Sequence, residues 1–135
     1  MAVSYQYKTS VDKNNIDLFG HMNNAAYLII FEKARWAQCE QQGVDIEYIK
    51  KTAVAPVVLE AKLRFRKELR LGEKITIENE LVEYKGKIGR FDQKMYNEHE
   101  ILCCEASFSI GLMDLNTRKL VPISRKWAKY LSNAD

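Results

Sequence analysis

Little in this chain of 135 residues could staple it together covalently. It has three cysteines, Cys39, Cys103 and Cys104, an odd number with two adjacent and no C-x-x-C spacing. That pattern disfavours a disulfide framework and a zinc site, and it fits a reducing, cytoplasmic compartment. Only two prolines are present, Pro56 and Pro122, with no Gly/Ser/Pro-rich tract and no internal repeat. There is thus no linker at which to divide the sequence, and residues 1–135 read as one domain. The longest apolar stretch, Ala25 to Phe31, ends at Glu32, far short of the roughly 20 residues a membrane span needs. The opening MAVSYQYKTS shows no basic region followed by an apolar run, so no secretory leader is expected. Charge of one sign is also scarce, with 21 Lys and Arg against 18 Asp and Glu. A dedicated nucleic-acid binder would carry a larger or more clustered excess. Familiar catalytic hardware is missing too: there is no G-x-S-x-G elbow, P-loop, G-x-G-x-x-G or H-E-x-x-H.

Apolar residues make up 47% of the chain, enough for a core without metal or disulfide support. Val3 to Val11 alternates loosely and breaks at Asp12-Lys13-Asn14-Asn15, which predicts a strand and then a loop. From Asn24 to about Gln42 the early positions are apolar on every side, the pattern of a buried helix, and Gly43 supplies its stop. Val57, Leu59, Ala61, Leu63 and Phe65 alternate with polar neighbours, predicting a half-buried strand. Two more strands are expected over Lys74–Tyr84 and Ile88–Tyr96, the first with a parity change near Val82 that a bulge would produce. Asn97 to Glu100 reads as a hairpin turn. A long strand from Leu102 to Leu112 follows, then a short helix near Ser124 to Leu131. One strand, a buried helix and four consecutive antiparallel strands predict an α+β layer fold, with one sheet of about five strands curled around one apolar helix. A single sheet covers only one side of such a helix, so a second subunit or the C-terminal segment is expected to cover the rest.

The chemistry is concentrated just before that helix, in Asn14-Asn15-Ile16-Asp17-Leu18-Phe19-Gly20-His21-Met22-Asn23-Asn24. A helix start presents unpaired N–H groups and the positive end of a dipole, which suit a carbonyl oxygen gaining negative charge. Asn23 or Asn24 is the expected cap. Asp17, an ionised carboxylate a few residues upstream, is placed to attack a carbonyl or to activate water. Gly20 permits a backbone turn that few other residues tolerate.

The run Asp17-Leu18-Phe19-Gly20-His21-Met22-Asn23-Asn24-Ala25-Ala26-Tyr27, continued by Phe31-Glu32-Lys33-Ala34-Arg35, resembles the D-x-x-G-H-[VM]-N-N-x-x-Y…[FY]-E-x-A-R signature of hotdog-fold acyl-CoA thioesterases, the 4-hydroxybenzoyl-CoA thioesterase-like branch. Met113 to Pro122 is similar to that family's closing strand, so the likeness spans about residues 3 to 123. It implies a helix wrapped by a sheet and homodimers joined edge to edge, often paired as homotetramers, with the active site at the dimer interface. The implied reaction is hydrolysis of an acyl-CoA or acyl-carrier thioester to the free acid and thiol, with no metal and no cofactor besides the substrate's coenzyme A. Asp17 falls on the family's catalytic carboxylate, nucleophile or general base. Gly20, His21, Asn23 and Asn24 fall on the oxyanion and positioning segment. Asn15 stands where many members carry another Asp, and Asn24 where one subgroup carries a His.

Simpler roles are weighed beside these. Asn23 and Asn24 serve equally as caps, and His21 as a packed histidine that positions the loop. Tyr27 reads as a core residue, with lining of the acyl pocket as its functional alternative. Glu32 and Arg35, three apart on a helix, can pair across one turn. Because coenzyme A carries phosphates, the basic stripe Arg64 and Arg66 and the cluster of Lys87 and Arg90 are candidate phosphate contacts. The rival to an enzyme is a non-catalytic acyl-CoA-binding or regulatory module of the same fold, and the intact Asp17-x-x-Gly20-His21 segment favours the enzyme. A DNA-reading extension has no expected place in a chain ending at Asp135, and neither nucleic acid nor membrane is an expected partner. A dehydratase of this fold would need another arrangement of carboxylate and histidine.

Overall fold

The computed structural model describes residues 5–132. Strand β1 (Tyr5–Ser10) leads through a 3-10 turn (Lys13–Asn15) into helix α1 (Asn24–Gln41) and a shorter helix α2 (Ile46–Thr52). Strands β2 (Val54–Phe65), β3 (Lys74–Lys85), β4 (Ile88–Asn97), β5 (Leu102–Asp114) and β6 (Lys119–Val121) follow, and helix α3 (Arg125–Ser132) closes the described chain. The strands form one antiparallel sheet in the order β1-β3-β4-β5-β2, with β6 on β5. The first strand is expected from Val3, which lies outside the described residues.

Helix α1 begins where the Asn23 side chain accepts the Ala26 N–H at 3.0 Å, so Asn23 rather than Asn24 is the cap. It ends before Gly43, whose φ of +86° suits a residue without a side chain. Ala26, Tyr27, Ile30, Phe31, Ala34, Gln38 and Cys39 are buried against the sheet. Phe91, Met95, Phe108, Ile75 and Ile77 meet them from β3, β4 and β5. This is the wrapped-helix arrangement that the resemblance implies.

Two expectations need correction. The four later strands do not form a simple meander: β3, β4 and β5 do, but β2 lies beyond β5 at the sheet edge, and β1 takes the place beside β3. The alternation read through β2 does not hold one parity. The register slips between Val58 and Glu60, and most of the strand is exposed, because an edge strand has a neighbour on one side only. As expected, one sheet does not cover helix α1 on every side: Leu28 and Ile29 are 42% and 53% exposed. The parity change expected near Val82 is present as a register shift between Leu81 and Glu83. The sequence reading does not include α2 and gives β6 no residue range. β6 is only three residues long and pairs with Leu112 to Asp114 beyond the end of β4.

Candidate active site

The segment before α1 is shaped by short-range bonds. The Asp17 N–H donates to the His21 carbonyl at 3.0 Å and the Gly20 N–H to the Asp17 carbonyl at 3.2 Å, closing a tight loop. Gly20 has φ +87°, so the turn requires a left-handed residue there. At the tip Leu18 and Phe19 stand fully in solvent, 102% and 84% exposed. The loop is moored at its base: the Met22 N–H donates to the Leu69 carbonyl at 2.7 Å and the Asn23 N–H to the Asn15 carbonyl at 2.9 Å.

Asp17 Oδ1 accepts the Phe19 N–H at 2.8 Å. Oδ2 lies 3.7 Å from His21 Nδ1, which is also 3.3 Å from the Met22 carbonyl. The Asp17 side chain is one quarter exposed. The carboxylate is thus held by one backbone N–H and neighboured by one imidazole, with accepting capacity to spare. A few residues on, the N–H groups of Asn24 and Ala25 precede any intrahelical acceptor, and the Asn23 cap leaves them at the mouth of the helix.

A groove of about 270 Å³ opens beside this helix end and is lined by His21, Asn24, Tyr27, Phe65, Arg66 and Lys67 among others. Tyr27 is buried, packs edge-on to Phe65 with centroids 5.0 Å apart, and lines the groove. Burial, aided by the nearby Cys104 and Cys103 thiols, pushes its hydroxyl up to about 12, so it stays protonated at neutral pH.

The four candidate phosphate contacts separate. Arg66 lines the helix-end groove and donates to Glu105 at 2.7 Å. Arg64 and Arg90 share a second groove of about 500 Å³ on the sheet surface over β2, β5 and β4, where Arg90 pairs with Asp92 at 3.0 Å. Lys87 sits in the β3–β4 turn. Lys67, beside Arg66, joins the site from the β2–β3 connection.

No cysteine competes as nucleophile. All three are unpaired and buried. Burial pushes Cys39 up to about 11 and Cys104 up to about 12, and raises Cys103 as well. Among the described residues no cluster of three His, Cys, Asp or Glu side chains could hold a metal ion.

The expected Glu32–Arg35 pair does not form. Arg35 turns inward instead, donating from Nη1 to Gln93 Oε1 at 2.9 Å, with its guanidinium carbon 4.5 Å over the Phe108 ring. Behind it lies a polar network that the sequence reading missed. Gln93 Nε2 donates to the Phe31 carbonyl at 3.0 Å and to Asn79 Oδ1 at 2.8 Å. Asn79 Nδ2 donates to the Ala34 carbonyl and to Gln38 Oε1, both at 3.0 Å. The only signal for it was a polar residue at an inward position of each element: Gln38 on α1, Asn79 on β3 and Gln93 on β4.

Fold and site together define an α+β hotdog protein with a carboxylate loop at the open end of its central helix. A Staphylococcus aureus protein solved in complex with CoA has the same fold, with a TM-score of 0.89 and 19% identity over 98% of this chain and 84% of its own. YbaW of Escherichia coli superposes with a TM-score of 0.82 and 26% identity, covering 94% of this chain and 96% of its own. The long-chain acyl-CoA thioesterase FadM of Escherichia coli (strain K12) is 28% identical over 119 residues, 87% of this chain and 89% of that protein. The thioesterase-like superfamily model matches residues 11–131, and the chain belongs to that family. Its enzyme class is thioester hydrolase.

Proposed function

We propose that the protein hydrolyses acyl-CoA thioesters, with Asp17 as the reacting carboxylate. The observation that carries this reading is a loop carboxylate, held through one oxygen by the Phe19 N–H, a few residues before the start of α1, where the N–H groups of Asn24 and Ala25 have no intrahelical acceptor. A thioester carbonyl seated at that helix end meets positive charge where its oxygen becomes negative. Asp17 then either attacks the carbonyl carbon, expelling the thiolate and leaving a mixed anhydride that water cleaves, or takes a proton from the water that attacks. Both routes give the free acid and the thiol. Gly20 sets the turn, His21 sits beside the carboxylate, and Asn23 holds the helix start open. The likeness to FadM, a long-chain acyl-CoA thioesterase, supports the substrate class.

The groove beside the helix end offers Arg66 and Lys67 to the phosphates of coenzyme A, while Tyr27 and Phe65 offer an apolar wall. Arg64 and Arg90 on the outer sheet groove are the alternative phosphate contacts. The working unit is a homodimer. Leu28 and Ile29 on α1 and Val58 and Leu59 on the edge strand β2 are exposed apolar residues that a second copy would bury. Three buried, unpaired thiols suit a cytoplasmic setting.

The test is release of free thiol from a panel of acyl-CoA substrates, run with wild type and Asp17→Asn. Turnover by the wild type and its loss in a folded Asp17→Asn protein are expected. Undiminished turnover by the folded variant removes Asp17 from the reaction, and no turnover of any substrate by the wild type removes the activity.

A further inference from the structure

A third cavity, of about 200 Å³, lies under the second half of α1, between that helix, the start of β2 and α3. Its walls are largely apolar, Trp36, Val57, Ile110 and Leu131 among them, and its only charged lining residues are Glu32 and Arg35. Arg35 forms no ion pair among the described residues, and Glu32 acts on it only through space. A guanidinium has five N–H donors, and one of these is given to Gln93. Gln93 is itself fully buried and fixed by the Phe31 carbonyl and Asn79. The Phe108 ring backs the guanidinium from beneath.

Taking a cation even partly out of water without an anion is costly, yet here Gln93 and the Phe108 ring hold it in place, with Asn79 and Gln38 behind Gln93. The chain of bonds also has one direction. Arg35 donates to Gln93, Gln93 to Asn79 and Asn79 to Gln38, so each amide turns its oxygen toward the cation. We infer that this cavity is a binding site for a carboxylate carried on an apolar chain, with Arg35 receiving the carboxylate and the apolar walls taking the chain. Planar donors of a fixed guanidinium match two carboxylate oxygens. At about 30 Å³ for each water-sized group, the cavity holds about six or seven non-hydrogen atoms, the carboxylate and a short run of methylenes, and the end of a longer chain projects from it.

Two sources carry that chemistry: a free fatty acid, the product class of thioester hydrolysis, and the far carboxyl of a dicarboxylic acyl thioester. The second rests on the thioesterase reading, whereas carboxylate binding itself does not. Asn24 and Arg35 are eleven residues apart on α1, about 16 Å along the helix axis. An acyl chain bridging the two sites within one subunit therefore needs on the order of a dozen carbons.

Binding is measured first on the resting protein by tryptophan fluorescence, with hexanoate against hexan-1-ol, since Trp36 lines the cavity. Hexanoate is expected to bind at least about 10-fold more tightly than the alcohol. Arg35→Met should bring hexanoate down to the level of the alcohol. Glu32→Gln, at an exposed position on the rim, should tighten hexanoate about two- to fivefold and leave the alcohol unchanged. Equal affinity of the wild type for the two ligands overturns the inference, even if Arg35→Met fails to fold and whatever the protein hydrolyses. KM for tetradecanedioyl-CoA against tetradecanoyl-CoA then separates the sources. A lower KM for the dicarboxylic thioester, lost in Arg35→Met, assigns the site to the far carboxyl. Equal KM values with hexanoate binding intact assign it to the free acid.

Discussion

The two ends of helix α1 handle polarity in opposite ways. At its N-terminus the polar groups come from one short stretch, Asn15 to Asn24, face water, and are tied, apart from the Met22 N–H bond to the Leu69 carbonyl, by bonds between residues two to eight positions apart. In its second half they come from α1, β3 and β4, the amides of Gln38, Asn79 and Gln93 are almost entirely out of water with Arg35 half-buried beside them, and they are tied by bonds spanning 14 to 62 positions. A carboxylate that must meet substrate and water belongs to the first kind of setting. A cation held rigid without a counter-charge needs the second.

Removing the carboxylate at the open end should have the largest effect. Asp17→Asn is expected to lower thioester turnover at least about 10²-fold with the fold retained, measured by thiol release alongside circular dichroism. At the closed end the loss should appear as stability rather than rate. Asn79→Leu would leave Gln93 Nε2 short of one acceptor and strip Gln38 Oε1 and the Ala34 carbonyl of their recorded side-chain donor. A cost of about 2 kcal/mol in urea unfolding is expected. An undiminished midpoint would mean that the network does not support the fold.

A smaller effect separates binding from chemistry at the open end. Charge reversal of Arg66 together with Lys67 should raise KM for acyl-CoA about five- to tenfold and change kcat less, because contacts remote from the reacting carbonyl act alike on ground and transition states. The same variants at Arg64 and Arg90 are the comparison, and a response there alone would move the nucleotide to the outer sheet. Asn23→Ala, which removes the helix cap, should cost about 1 kcal/mol of stability.

The smallest effect concerns alkaline pH. Cys39 and Cys104 keep their protons in the folded state up to about 11 and about 12, whereas the ordinary thiol value is 9.0. The unfolded chain therefore binds fewer protons at high pH, so stability is complete below about 9 and declines above it. At pH 9 the loss should be a few tenths of a kcal/mol per thiol, read as a small fall in the unfolding midpoint between pH 7.5 and 9.

The open end of the helix was legible in the sequence for the same reason that it is open. Most of its bonds are local, so Asp17, Gly20, His21 and Asn23 stand within seven positions and form a readable motif. The bulge near Val82 was legible from a change of parity. The position of β2 was not, since strand order depends on contacts between β2 and β5, whose paired residues are 39 to 60 positions apart. Arg35 was misread because helical spacing offered Glu32 as a partner, while the competing amide, Gln93, comes from a strand 58 positions away. Isolated polar residues on inward positions carry no mark of which other polar residue they will meet.

The loop tip has one more consequence. Leu18 and Phe19 project into solvent just before a glycine in a left-handed turn, which makes the Phe19–Gly20 bond the natural point of attack for a protease that cuts after aromatic residues. Such a cut would not release the N-terminal piece, because β1 remains paired with β3 from Tyr5 to Ser10. A nicked but still assembled protein would keep Asp17 on one fragment and helix α1 on the other, held together only by strand pairing and packing. Limited digestion would thereby become a means of uncoupling the carboxylate from the helix end without altering a single side chain.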